Sequence, residues 1–144
     1  FMLGRKSKYE KRDYLKQFKI GKATYSESLI YEAYGGLQND GIMLAVYYDV
    51  DAAKIIHQLD SWEKINDSPT ISSILKNVSS YFGLDFVIPE IASGNFFLYD
   101  NSQHKELRSE AEMNTLLLHS EDVNFSLVVW DDEKHTIYIV EYRI

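Results

Sequence analysis

The sequence predicts a single α+β domain, with a mostly antiparallel sheet of about five strands and two or three helices inserted between hairpins. Three observations lead there. Runs rich in β-formers, broken by Gly, Asn and Asp turns, occupy both ends of the chain, at residues 25–48 and 124–142. Two amphipathic helical stripes lie between them. The length of 144 residues, 45% of them apolar, suits one core, since domains usually take roughly 100–200 residues.

Residues 5–19 come first. Tyr14, Leu15 and Phe18 fall on one helical stripe, which predicts a short amphipathic helix ended by Gly21. Residues 23–34 alternate imperfectly and read as a strand. Gly35-Gly36-Leu37-Gln38-Asn39-Asp40-Gly41 follows as a turn with positive-φ positions. Ile42 to Tyr48 is a nearly unbroken apolar run and reads as a central strand, closing a hairpin. Asp49, or rather Asp51, can cap a helix that starts at Ala52, with Ile55, Ile56 and Leu59 on its stripe. Ser68-Pro69-Thr70 opens a second helix, with Ile71, Ile74, Leu75, Val78 and Phe82 on one face and Gly83 as terminator. Ile88 to Gly94 is a loop, and Asn95 to Tyr99 a third strand. Glu106 to Leu118 reads as a helix, the weakest pattern in the chain. Asn124 to Trp130, the turn Asp131-Asp132-Glu133-Lys134, and Thr136 to Tyr142 form a closing antiparallel hairpin.

Composition narrows the chemistry. The chain has no Cys, which excludes thiol catalysis, thiol redox chemistry and Cys-based zinc sites. Aromatics make up 14% of the residues, and eleven of them are Tyr. The net charge of −7 is unevenly spread. Residues 1–22 hold eight Lys/Arg against two Asp/Glu, a balance of +6. Residues 23–144 hold seven against twenty, a balance of −13. The chain thus divides into a basic arm, 1–22, and a body, 23–144. The acidic body should be repelled by a nucleic-acid backbone. The arm, with Arg5, Lys6, Lys8, Lys11, Arg12, Lys16, Lys19 and Lys22, could touch phosphate or anionic lipid, or simply be solvated. Phe1-Met2-Leu3-Gly4 ahead of Arg5-Lys6-Ser7-Lys8 has the look of either an ordinary N-terminus or the stub of a membrane anchor. Localisation therefore stays open between the cytoplasm and an extracytoplasmic, membrane-tethered position.

Motifs for catalysis are sparse. The histidines are His57, His104, His119 and His135, and no zinc-type spacing joins them. Asp100 and His104 stand at i, i+4 in Asp100-Asn101-Ser102-Gln103-His104. Such a pair can bind a metal or exchange protons, and more commonly it is a surface loop. No nucleophile elbow and no P-loop is present. The Gly35–Gly41 turn precedes a strand rather than a helix, so it is not a dinucleotide fingerprint. Its amides could form an anion nest or just a wide turn. No metal and no cofactor is called for by these residues.

A set of spaced features resembles a family of small, uncharacterised proteins from Gram-positive bacteria. The matching residues are Gly35, Gly36, Asp40 and Gly41; Trp62; Ile88, Pro89, Ile91, Gly94, Phe96, Phe97 and Asp100; and Asn124, Phe125, Ser126, Leu127, Asp131, Tyr138 and Glu141. They span about residues 25–142. The resemblance implies a small domain, in some members behind an N-terminal anchor, with no assigned activity. Members tend to carry Asp and His just before the Gly-Gly turn and His or Gly inside it. Here those places hold Glu32, Tyr34, Gln38 and Asn39.

Two functional classes follow. The first is an interaction module without catalysis, a tethered accessory domain or an inhibitor or immunity-type protein that masks a basic protein partner. The second is a small hydrolase or metal-dependent enzyme using the Asp40 and Asp100 loops. The candidate residues are Glu32, Tyr34, Gly35, Gly36, Asp40, Gly41, Asp100 and His104.

Overall fold

A strand forms at each of the five stretches where the sequence predicts one, although the first begins at Glu27 and not at residue 23. The computed structural model describes residues 14–35, 40–66, 68–83, 90–118 and 123–143. In chain order the elements are α1 (Tyr14–Gln17), β1 (Glu27–Gly35), β2 (Asp40–Tyr48), a 3-10 turn (Ala52–Lys54), α2 (Ile56–Asp60), β3 (Glu63–Asn66), α3 (Pro69–Tyr81), β4 (Ser93–Asp100), β5 (Lys105–Leu107), α4 (Glu110–Leu118), β6 (Asn124–Asp131) and β7 (Thr136–Arg143). The fold is α+β. The strands form one sheet of seven in the order β1-β2-β7-β6-β4-β3, with β5 beside β4. Every pair is antiparallel.

The sheet is larger than the five strands expected. The additions are β3 and β5, which lie against the two halves of β4 on its outer side. At four and three residues they are too short to show alternation in sequence. The helix expected from Glu106 begins instead at Glu110, because Lys105–Leu107 pairs with Leu98–Asp100. Its start is set by a capping box. Ser109 Oγ accepts from the Glu112 N–H at 3.2 Å, and Glu112 Oε1 accepts from the Ser109 N–H at 3.2 Å. The Arg108 N–H, the Lys105 ammonium and the Ser109 groups together hold the Glu112 carboxyl down to about 2.

The helix expected from Ala52 is split. Asp51 caps it as expected, its side chain accepting from Ala53 N–H, but the chain leaves helical geometry at Ile55. Ile55 and Leu59 are buried, while Ile56 turns outward. The second helix matches its sequence pattern. Ser68 caps it by accepting from Ile71 N–H, Pro69 takes the first turn where its missing donor is harmless, and Gly83 follows with φ 59°. Ser68 and Thr70 also donate to Glu110, which ties the start of α3 to α4.

Alternation gives the sheet two apolar faces. Tyr31, Leu44, Val140, Leu127, Leu98 and Leu107 form one continuous row across six strands. They face α3, through Ile71, Ile74, Leu75 and Val78, and Met113 of α4. The opposite face presents Met43, Ala45, Val128, Trp130, Ile137 and Ile139 to Tyr14, Leu15, Ile20, Ile55, Leu59 and Trp62. Residues 14–22 of the basic arm thus bury their apolar side chains under the sheet and leave Lys16, Lys19 and Lys22 in water. Each large side chain so buried contributes about 1.5–3 kcal/mol. The short α1 ends at Gln17, ahead of Gly21, because Lys19 enters the left-handed region at φ 64°.

Two measurements follow from this packing. Gly94 has φ 157°, and a Cβ there would collide with the Trp130 carbonyl of the adjoining strand. Gly83 also has a positive φ, but a Cβ there meets open space. Gly94→Ala is expected to lower stability on the order of 3 kcal/mol, and Gly83→Ala by about 1 kcal/mol, in denaturant unfolding. Tyr138 is buried, and desolvation, then Asp131 and Tyr48, push its phenol well above the ordinary value. The native state therefore keeps the proton after the unfolded chain begins to lose it. Stability should hold below about pH 10 and fall as pH rises beyond it. Tyr138→Phe should make that alkaline fall shallower, as measured by unfolding between pH 8 and 11.

Candidate functional site

The predicted site residues divide between places that do not meet. Glu32 sits on β1 opposite Met43, on the face covered by α1, and accepts from the Tyr14 hydroxyl at 3.2 Å. Asp100 sits opposite Phe125, on the face covered by α3. The two carboxylates therefore lie on opposite sides of the sheet, and a shared proton or metal between them is ruled out by the pleat. Gly41 pairs with Arg143, Arg143 with Asn124, and the Asn101 N–H donates to Asn124 O. Gly41 and the Asp100 turn thus share one end of the sheet but stand about three strand spacings, ~14 Å, apart. Tyr34 pairs with Gly41 and Gly35 with Asp40 at the hairpin tip. Gly36 lies outside the described residues. Among the described residues, no group of three His, Asp or Glu could hold a metal ion.

Asp100 and His104 are explained by the turn they build. Asp100 Oδ1 accepts from the Ser102 and Gln103 N–H groups at 2.9 and 3.3 Å. His104 takes the left-handed position at φ 55° and points its exposed ring to solvent. The β6–β7 turn repeats the device. Asp131 Oδ1 accepts from the Glu133 and Lys134 N–H groups at 3.0 and 3.2 Å, and His135 has φ 49°. The signal was legible: Asp-x-x-x-His occurs twice, at 100–104 and 131–135, each time between two strands.

A buried carboxylate went unnoticed in the sequence. Glu141 is 3% exposed. It accepts from Gln17 Nε2 at 3.0 Å and lies 3.6 Å from the Arg143 guanidinium. Beside it, Asn101 Nδ2 donates to Ser126 Oγ and Asn124 Oδ1. This polar band at the end of an apolar face fastens α1 to the sheet. Its alternation with Ile137 and Ile139 placed it on that face, but only the docked α1 makes it buried.

The other end of the sheet carries the more open chemistry. Tyr25, 45% exposed, meets Tyr47 edge-on at 4.9 Å. Around it stand the exposed carboxylates of Glu27, Asp49 and Asp51. The segments are tied together: Ser26 Oγ donates to Asp49 Oδ2 at 2.5 Å, and the Asp51 N–H donates to Thr24 O at 3.1 Å. Val50 N–H donates to His135 O, which brings the turn with Asp132 and Glu133 alongside, together with Lys134. Residues 23–53 contain no Lys or Arg and five Asp/Glu. Elsewhere, among the described residues, three cations form ion pairs. Arg108 bridges Glu63 and Glu106, Lys105 pairs with Glu112, and Arg143 with Glu141. Among the described residues, no ion pair uses Glu27, Asp49 or Asp51. The arrangement can attract and seat a cation-rich surface.

No family model, curated protein or solved structure matches the chain. Among the described residues, no helix is long and apolar enough to cross a membrane.

The turn assignment has a direct consequence. Asp100→Ala should lower stability by about 2 kcal/mol through loss of two bonds to a carboxylate. His104→Gly should raise it by up to about 1 kcal/mol by relieving the left-handed backbone. Both are read by denaturant unfolding.

Proposed function

We propose that this protein is a non-catalytic interaction module that docks a basic protein partner on its acidic, tyrosine-bearing end. The supporting observation is the stretch 23–53, free of Lys and Arg, with Tyr25 raised among Glu27, Asp49 and Asp51. A field of one sign accelerates encounter with an opposite partner by ~10–10³-fold. Tyr supplies a rigid, amphipathic anchor of the kind that dominates binding energy at interface centres. The exposed carboxylates would act mainly on the association rate and on its salt dependence. The reading fits an accessory protein or one of the inhibitor or immunity type, in which covering a basic surface is itself the activity.

The test is capture of a basic protein from source lysate on the immobilised chain, at low and high salt. Retention at low salt and release at high salt are expected. The triple variant Glu27→Gln, Asp49→Asn, Asp51→Asn keeps the hydrogen-bonding shapes and removes the charge. It should weaken capture at least tenfold, and Tyr25→Ala should do the same without changing the salt dependence. Undiminished capture by the triple variant would overturn the reading.

A further inference from the structure

We propose that the layer built by α1, the 3-10 turn and α2 is a docking face for an anionic lipid surface. The sheet separates two differently charged coats. Residues 14–23 and 52–64 lie on one side, with five Lys against Asp60 and Glu63, a balance of +3. Glu63 stands opposite Phe96 on the α3 side and is bridged by Arg108. Residues 68–83 and 108–118 lie on the other side, with Lys76 and Arg108 against Glu110 and Glu112, a balance of zero.

The cations of the first coat point to water. Lys19, Lys22, Lys54 and Lys64 are exposed, and among the described residues no ion pair uses them. Lys64 is held on this side because it pairs with Asn95, whose Nδ2 donates to Leu59 O of α2. Lys19 has φ 64°, a conformation that Gly or Asn adopts more readily, yet the side chain kept there is a cation. The break at Ile55 buries that residue and turns Ile56 outward, 52% exposed, between the exposed Lys54 and His57. Cations with an aliphatic side chain raised among them suit a headgroup region. Charge draws the face to anionic lipid, and the apolar group enters the acyl boundary.

Charge and shape select the occupant. Lipid headgroups and nucleic acids both offer phosphate, but a lipid plane touches one face only. Beyond the sheet, the α3 side is more than a Debye length away, about 8 Å at physiological salt. A long polyanion that wrapped past the layer would meet Glu27, Asp49 and Asp51 at the sheet's end. Ile56 finds a partner in acyl chains and none in a phosphate backbone. The sequence leading into the layer adds Arg5, Lys6, Lys8, Lys11 and Arg12. Each cation near an anionic leaflet strengthens attachment about fivefold. This docking does not involve the acidic end, so either reading can fail without the other.

The experiment floats the full chain with vesicles of equal parts phosphatidylcholine and phosphatidylserine, and with phosphatidylcholine vesicles alone. Attachment is expected to the first only, and high salt should release it. The variant Lys19→Gln, Lys22→Gln, Lys54→Gln, Lys64→Gln should bind at least about tenfold more weakly, and Lys76→Gln on the other side should bind as the parent chain does. The chain has no Cys, so Ile56→Cys and Lys76→Cys each carry a polarity-sensitive dye at a single place. The dye at 56 should shift to the blue on the mixed vesicles, and the dye at 76 should not. Equal attachment to both kinds of vesicle, undiminished attachment of the fourfold variant, or an equal shift at 56 and 76 overturns the proposal. Tighter binding to duplex DNA than to the mixed vesicles, unaltered by Ile56→Ser, overturns lipid as the occupant.

Discussion

Leu127, Val128 and Val129 of β6 and Ile137, Ile139 and Val140 of β7 are shielded from solvent almost completely, on both faces of the sheet. A strand buried in this way must pair its backbone N–H and C=O groups on both sides, because water cannot replace a missing partner. β7 finds its second partner in β2, and β6 finds its in β4. The last hairpin of the sequence is thus the middle of the sheet. The first hairpin, β1–β2, and the β3–β4–β5 group are joined only through it in the strand order. Each helical layer then depends on the face that this union creates. The α3 stripe needs a row of side chains from several strands, and α1 with Ile20 needs the opposite row. Such long-range pairing makes the topology a slow one to assemble.

The same constraint explains where function can sit. A sheet covered on both faces has its ends left for binding. At one end, Glu141 is enclosed by Gln17 and Arg143, and the polar groups there satisfy each other. At the other end, Tyr25, Glu27, Asp49 and Asp51 face water, with Lys134 of the β6–β7 turn alongside and no Lys or Arg between residues 23 and 53. At the outer edge, Arg108 ties β3 to β5. An ion pair at an exposed edge adds little stability, commonly about 0–1 kcal/mol. The Arg108 bridges therefore matter more for blocking wrong pairings than for holding the fold.

Several local features were legible in single residues. Ser68-Pro69 and Gly83 bounded α3, Asp51 capped the 3-10 turn, and alternation from Thr136 to Tyr142 located β7. β3 was hidden because four residues cannot display a period, and β5 because Glu106 and Leu107 also suit a helix. The Ser109–Glu112 capping box would have moved the start of α4 to its true place. The Asp100–His104 spacing was read as chemistry as readily as geometry. Its second occurrence at Asp131–His135 marks it as a hairpin turn, with the carboxylate holding two amides and the histidine accepting a positive φ.

By itself the sequence determined the α+β class, the elements of the two terminal hairpins, the amphipathic face of α3 and the lack of basic residues in 23–53. These depend on neighbours within a few positions, where propensity, period and charge act locally. Only the tertiary structure decided the strand order, the burial of Glu141 and the placement of Glu32 and Asp100 on opposite faces. Those follow from pairings between residues far apart in the chain, such as Met43 with Glu141 and Asp100 with Phe125. A one-residue shift in any of these registers would exchange the two faces of a strand, and the partner strand against which the register is set lies far away in the sequence.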